Sequence, residues 1–281
     1  MSFSTLIDAA TLAEQLHQPG WVICDVRHQL ADTGYGERVY REGHLPGAVF
    51  FHCDRDLSGA MNGKNGRHPL PEAAEFCRRL GAAGIERSTQ VVIYDDCQGM
   101  FAGRLWWLLR ALGHARVAVL DGGMQAWQAA GGPCTADLPQ PVSVRYEPTG
   151  SFAGVVETRT VLAQLGSPAM CLVDGRSPDR FRGENETIDP VGGHIPGTRN
   201  RFFRDNLGPD GRLKPAETLR TEWLQFLAGA DPASVVHQCG SGVSACLNQL
   251  AMEVAGLSGS KLYAGSWSEW CADSTRPIAT H

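Results

Sequence analysis

No apolar run in this chain approaches the roughly 18 residues that a membrane-spanning helix requires, and no two cysteines stand in C-x-x-C spacing. The first absence argues against a membrane protein, the second against a structural zinc site or a thioredoxin-like redox pair. Positive charge is not in excess either. Lys and Arg total 25 against 30 Asp and Glu, a formal net charge of −5, which weighs against nucleic acid or another polyanion as the main partner. A small anion answers only to local charge. Neither a metal-ligand spacing nor a glycine-rich nucleotide fingerprint occurs, so no metal and no cofactor is expected. At the N-terminus, Asp8 and Glu14 stand where a secretory signal would need a basic end and an apolar stretch. That segment reads as an amphipathic helix, and a cytoplasmic location is expected.

The nine cysteines are odd in number and scattered along the chain. That pattern suits a reducing compartment better than a disulfide framework. Any one of them reads by default as a small buried hydrophobe, so a functional cysteine has to be found by its surroundings.

The most informative feature is an internal repeat. Gly43-His44-Leu45-Pro46-Gly47 returns as Gly193-His194-Ile195-Pro196-Gly197. Before each copy an apolar strand ends in an acid followed by an arginine, Asp25 and Arg27 in one case and Asp174 and Arg176 in the other. After each copy, Val91-Val92-Ile93-Tyr94-Asp95 matches Val235-Val236-His237-Gln238-Cys239, and Gly122…Trp127 matches Gly265…Trp270. Four matches in one order indicate a duplicated unit. Each half alternates short β-like runs with helical patterns, the signature of an α/β domain on a mostly parallel sheet flanked by helices. The expected division is a domain over 1–136, a proline- and glycine-rich linker over 137–154, and a second domain over 155–281. In the second half, strands are predicted over 170–174, 234–238 and 261–263, and helices over 158–165, 217–227 and 243–254.

Cys239 is the candidate for chemistry. An apolar strand runs into it, Gly240, Ser241, Gly242, Val243 and Ser244 follow, and a helix begins. Ligands of open α/β sheets collect beyond the carboxyl ends of the strands. The two glycines let the loop curl so that backbone N–H groups converge on the sulfur, and the helix start adds its own donors and dipole. Such surroundings favour a thiolate. A buried cysteine at an ordinary βα turn is the plain alternative. The first half breaks the tie, because it keeps the strand but has Asp95 where the second has Cys239.

Taken together, Cys239-Gly-Ser-Gly-Val-Ser-Ala245, the paired Gly-His-Leu/Ile-Pro-Gly turns, Arg180-Phe-Arg-Gly183 and Gly265-Ser-Trp-Ser-Glu-Trp270 resemble the two-domain rhodanese superfamily. The likeness covers nearly the whole chain and is closest to the 3-mercaptopyruvate sulfurtransferase-like branch. It implies two tandem rhodanese-like domains, the first catalytically inactive and the second bearing the cysteine. The implied reaction is double displacement, in which the Cys239 thiolate takes sulfur from a small donor and holds it as a persulfide. Cyanide, a small thiol or a thioredoxin-like dithiol then accepts it. By the same resemblance Arg180 binds the donor carboxylate, Gly240, Gly242, Val243 and Ser244 cradle the reacting group, and Ser241, His68 and Asp56 form a relay. Two departures stand out. The segment that carries a second substrate arginine in the family reads Glu184-Asn-Glu-Thr-Ile-Asp-Pro190 here, and Ser244 replaces the usual threonine.

The uncharged loop points to mercaptopyruvate; thiosulfate, with cyanide as acceptor, is the alternative donor. Cysteine phosphatases and arsenate reductases share the strand–loop–helix plan but need an arginine six residues after the cysteine, and position 245 is alanine. A non-catalytic binding module would not need Cys239 inside a complete glycine loop. For Arg180 the alternative is an ion pair with Glu184 or Asp179, and for His68 a turn before proline. His44 and His194 recur in both halves and are expected to hold turns. Trp106, Trp107, Trp267 and Trp270 are expected in the core, with Trp267 also a candidate pocket wall. Cys246 is expected to be buried.

Overall fold

The computed structural model describes residues 2–280. By chain contacts it divides into two units, Met1–Gly59 with Pro71–Ala153 and Asp210–Arg212, and Ala60–Leu70 with Gly154–Pro209 and Leu213–His281.

The first unit runs β1 (Leu6–Ile7), α1 (Ala9–Gln15), β2 (Trp21–Asp25), α2 (Tyr35–Glu42), β3 (Val49–Phe50), α3 (Ala73–Ala82), β4 (Gln90–Tyr94), α4 (Ala102–Ala111), β5 (Val117–Leu120) and α5 (Gly123–Ala129). Its strands pair in the order β1-β5-β4-β2-β3, each pair parallel. The N-terminal segment therefore gives an edge strand as well as the expected helix. Asp8 caps that helix by accepting the Thr11 N–H at 2.8 Å, which satisfies one of its unpaired amides.

The second unit runs α6 (Thr158–Ala163), β6 (Cys171–Asp174), α7 (Pro178–Phe181), β7 (Arg199–Asn200), α8 (Ala216–Leu227), β8 (Val235–Gln238), α9 (Ala245–Val254), β9 (Lys261–Leu262) and α10 (Ser266–Trp270). The strand order is β7-β6-β8-β9, again parallel. Successive residues of a strand face opposite sides of the sheet. Accordingly Leu172 and Val236 join Val161, Ile195, Trp267 and Trp270 in one core. Their neighbours Val173 and Val235 join Leu219, Trp223, Leu227 and Met252 in another. Covering both faces is what makes such strands apolar throughout.

The duplication is visible in the hydrogen bonds. Arg27 clasps Asp25 at 2.6 Å and donates to the Gly43 carbonyl at 2.7 Å. Arg176 clasps Asp174 at 2.7 Å and donates to the Gly193 carbonyl at 2.7 Å. Each arginine thus ties the carboxyl end of a strand to a Gly-His-x-Pro-Gly turn. The turn histidines hold their chains as expected: the Nδ1 atoms of His44 and His194 lie 2.7 and 2.8 Å from the carbonyls of Tyr40 and Phe181. The stretch 137–154 has no regular structure, but it is not loose up to Ala153. Val144 N–H donates to Gly81 at 3.0 Å and Ala153 N–H to Ala111 at 2.9 Å, and Tyr146 is buried.

Candidate active site

β8 delivers Cys239 to the carboxyl end of the second sheet, where its side chain is buried. The helix expected from 243 begins at Ala245, because Val243 and Ser244 are spent on the turn and accept from Cys246 and Leu247 N–H at 3.1 Å. Gly242 N–H donates to Cys239 Sγ at 3.2 Å. That turn requires glycine: φ is +76°, and a β-carbon at 242 would collide with the Ala264 carbonyl. Cys246 is fully buried, with Sγ 3.3 Å from the Gly242 carbonyl.

The base of the loop is fixed by α10. Trp267 N–H donates to the Cys239 carbonyl at 3.0 Å and Ser268 N–H to Gly240 at 2.9 Å. Ser266 accepts the Cys239 N–H at 3.1 Å and donates to the Tyr263 carbonyl at 3.0 Å. It does so with φ at +56°, a conformation that costs a non-glycine residue about 1–3 kcal/mol. The sequence argument missed Ser266. Its counterpart Gly123 carries the signal, with φ at +58° and no room for a β-carbon beside the Asp95 carbonyl.

Ser241 and His68 come together, with Oγ and Nδ1 2.7 Å apart. Both are largely buried, and His68 lies in the Ala60–Leu70 segment of the same unit. Asp56 belongs to the first unit. There its carboxylate accepts from Arg79 Nε at 3.1 Å and from His52 N–H at 2.6 Å.

Arg180 lies on α7. The Asp179 carboxylate accepts the Arg180 backbone N–H at 2.9 Å, but the guanidinium pairs with acids further along the chain. It donates to Glu186 at 2.8 Å and to Asp189 at 3.4 Å, while Glu184 pairs with Arg182 at 2.7 Å. A methyl group added to Gly240 would stand 3.6 Å from Arg180 Nη2 and 2.9 Å from Nη2 of Arg67. Arg67, which sequence reasoning passed over, is therefore part of the site. It pairs with Asp189. Trp267 does not wall the pocket: it has no exposed surface, donates to the Val191 carbonyl at 2.9 Å and lies under the Arg176 guanidinium.

The first unit shows what the same cradle does without a cysteine. Asp95 follows β4 as Cys239 follows β8. One carboxylate oxygen accepts from Cys97 and Gly99 N–H at 3.0 and 2.9 Å, the other from Phe101 and Ala102 N–H, both at 2.9 Å. The loop amides converge on the unit's own side chain, and burial still pushes the Asp95 carboxyl above its usual pKa while these N–H groups act to lower it.

Among the described residues no helix is long and apolar enough to cross a membrane, and no two cysteines are joined in a disulfide. The family described as a rhodanese-like domain matches residues 8–130 and again 157–273. A Pseudomonas aeruginosa protein named "Probable 3-mercaptopyruvate sulfurtransferase" is 46% identical over 100% of this chain and 99% of its own. A Mycobacterium tuberculosis protein named "Putative thiosulfate sulfurtransferase SseB" is 40% identical over 97% of this chain and 96% of its own. Among solved structures, the 3-mercaptopyruvate sulfurtransferase from Leishmania major superposes with a TM-score of 0.81 at 33% identity, covering 95% of this chain and 74% of that one.

Proposed function

Because the chain belongs to the rhodanese family, in its 3-mercaptopyruvate sulfurtransferase-like branch, and is a sulfurtransferase, we propose that it draws sulfur from 3-mercaptopyruvate and carries it on Cys239. The Cys239 thiolate attacks the donor sulfur and the carbon–sulfur bond breaks. Its electron pair leaves on carbon as the pyruvate enolate, and Cys239 keeps the sulfur as a persulfide. An acceptor then attacks the outer sulfur, and the Cys239 thiolate departs. Gly242 N–H, already donating to Sγ at 3.2 Å, stabilises negative charge on sulfur in both steps.

The observation that carries the donor choice is the Ser241–His68 pair at 2.7 Å. An enolate needs a proton on carbon to become pyruvate, whereas the sulfite released from thiosulfate needs none. Ser241 supplies that proton and His68 replaces it. Asp56 is proposed as the acid of this relay on sequence resemblance alone; its carboxylate accepts from Arg79 Nε and the His52 N–H. Arg180 binds the donor carboxylate, while Gly240, Val243 and Ser244 shape the loop around the transferred sulfur.

The proposed acceptors are cyanide, a small thiol or a thioredoxin-like dithiol, and the proposed compartment is the cytoplasm, which suits nine cysteines that form no disulfide among the described residues. Thiosulfate is the second reading, favoured by the 40% identical relative named for it. Steady-state kcat/KM for the two donors with one acceptor decides between them. Mercaptopyruvate is expected to be the better donor, and a clear preference for thiosulfate would reverse the assignment.

A further inference from the structure

Two guanidinium groups overhang Gly240. A methyl group there would stand 2.9 Å from Arg67 Nη2, and 3.6 and 3.8 Å from Arg180 Nη2 and Nη1. Both arginines are held from one side by acids of a single segment. Glu186 accepts from Arg180 Nε and Nη2 at 3.1 and 2.8 Å, while Asp189 takes Arg67 Nη1 and, at 3.4 Å, Arg180 Nη2. These acids are almost wholly buried, with side-chain exposures of 3% and 2%, whereas Arg180 and Arg67 keep 20% and 26%. Among the described residues, neither Arg180 Nη1 nor Arg67 Nη2 donates a hydrogen bond to the protein. The buried acids fix each fork from behind and leave one N–H-bearing nitrogen of each near Gly240, next to Cys239.

The same acids cancel the field. Arg67, Arg176 and Arg180 are joined in one network with Asp174, Glu186 and Asp189, three charges of each sign. An anion arriving over Gly240 gains directed hydrogen bonds from two arms but meets no surplus of positive charge. A carboxylate, with one charge over two oxygens, suits such a site. A dianion costs more to strip of water, and a network without surplus positive charge does not offset that cost.

We propose that Arg67 is the second arm of the donor clamp, acting with Arg180, and that Asp189 and Glu186 tune the clamp to a singly charged carboxylate. The assignment deepens the mercaptopyruvate reading and rests on it for the identity of the ligand. It also gives the Glu184–Pro190 segment a role: that segment carries no arginine of its own, but it orients two that come from elsewhere.

The test uses the full-length protein and two alkylating probes of similar size, neutral iodoacetamide and anionic iodoacetate, with Cys239 labelling followed by peptide mass spectrometry. Arg67→Gln is expected to slow labelling by iodoacetate roughly 10–100-fold, about what a charge-assisted hydrogen bond contributes, with little change for iodoacetamide. The neutral probe shows that the fold and the thiol survive. An unchanged ratio of the two rates in Arg67→Gln would overturn the clamp. Asp189→Asn is expected to raise the ratio of kcat/KM for thiosulfate over mercaptopyruvate, and a ratio equal to the parent's would overturn the tuning role. Alkylation needs no sulfur donor. If the parent protein prefers thiosulfate the donor reading fails, and the iodoacetate ratio still decides the clamp.

Discussion

His68 and Ser241 are 173 residues apart in sequence, yet the imidazole Nδ1 lies 2.7 Å from the hydroxyl oxygen, at the mouth of the loop that carries Cys239. The contact links the 60–70 segment, which lies between β3 and α3 in the chain, to the loop that follows β8, both within the second unit. In the proposed mechanism this pair is the proton path, separate from the sulfur nucleophile.

Ser241→Ala should therefore separate the two donors. With mercaptopyruvate, loss of a general acid is expected to lower kcat by about 10²–10⁴-fold. Turnover of thiosulfate, whose leaving group needs no proton on carbon, should change much less. Parallel steady-state assays check this, and equal losses with both donors would count against the proton path.

In the first unit, Asp95 is expected to be a structural keystone. Asp95→Ala would strip three buried N–H groups and one part-buried one of their acceptor, at a cost of about 3 kcal/mol or more. Urea denaturation measures this, and sulfur transfer by the protein that remains folded should persist, because the reactive loop is on the other unit.

Ser266 is expected to hold the reactive loop at the expense of its own backbone. Ser266→Ala keeps the left-handed φ but removes the acceptor of the Cys239 N–H, so a loss of about 1–3 kcal/mol is predicted. Ser266→Gly relieves the backbone and should cost less. Thermal or chemical denaturation of the pair checks the order of the two losses.

Much of this arrangement was legible in the sequence, because its signals are local. The paired Gly-His-x-Pro-Gly turns and strand-end acids mark the two sheets, and Cys239 falls at the end of β8 as a strand running into a glycine loop implies. Arg67 was not legible. Nothing in its spacing shows that it meets Arg180 above Gly240, since that meeting depends on how the 60–70 segment folds onto the second sheet. The acids of 184–190 were read for the arginine they lack, when their part is to hold arginines from two other segments. Composition also failed to distinguish a loose tether from the strap that 137–153 forms, because proline and glycine mark irregular backbone without saying whether it is hydrogen-bonded.

His237 makes stability pH-dependent. It is fully buried in β8, both ring nitrogens lack a hydrogen-bond partner among the described residues, and burial pushes its pKa from 6.5 down to about 3. The unfolded chain takes up a proton below about pH 6.5, while the folded chain resists until near 3. The unfolded state thus binds more protons in that window, and stability falls as the pH drops through it. His237→Ile, which installs the residue found at the equivalent position 93, should flatten this fall in denaturation curves recorded between pH 7 and 4.

The most direct measurement is peptide mass spectrometry of the protein after treatment with a sulfur donor, alongside a Cys239→Ser variant. One added sulfur atom on Cys239, removed by cyanide or a thiol, and no transfer by the variant, is the predicted result. Sulfur transfer by Cys239→Ser at the parent rate, or added sulfur on another cysteine and none on Cys239, would contradict it.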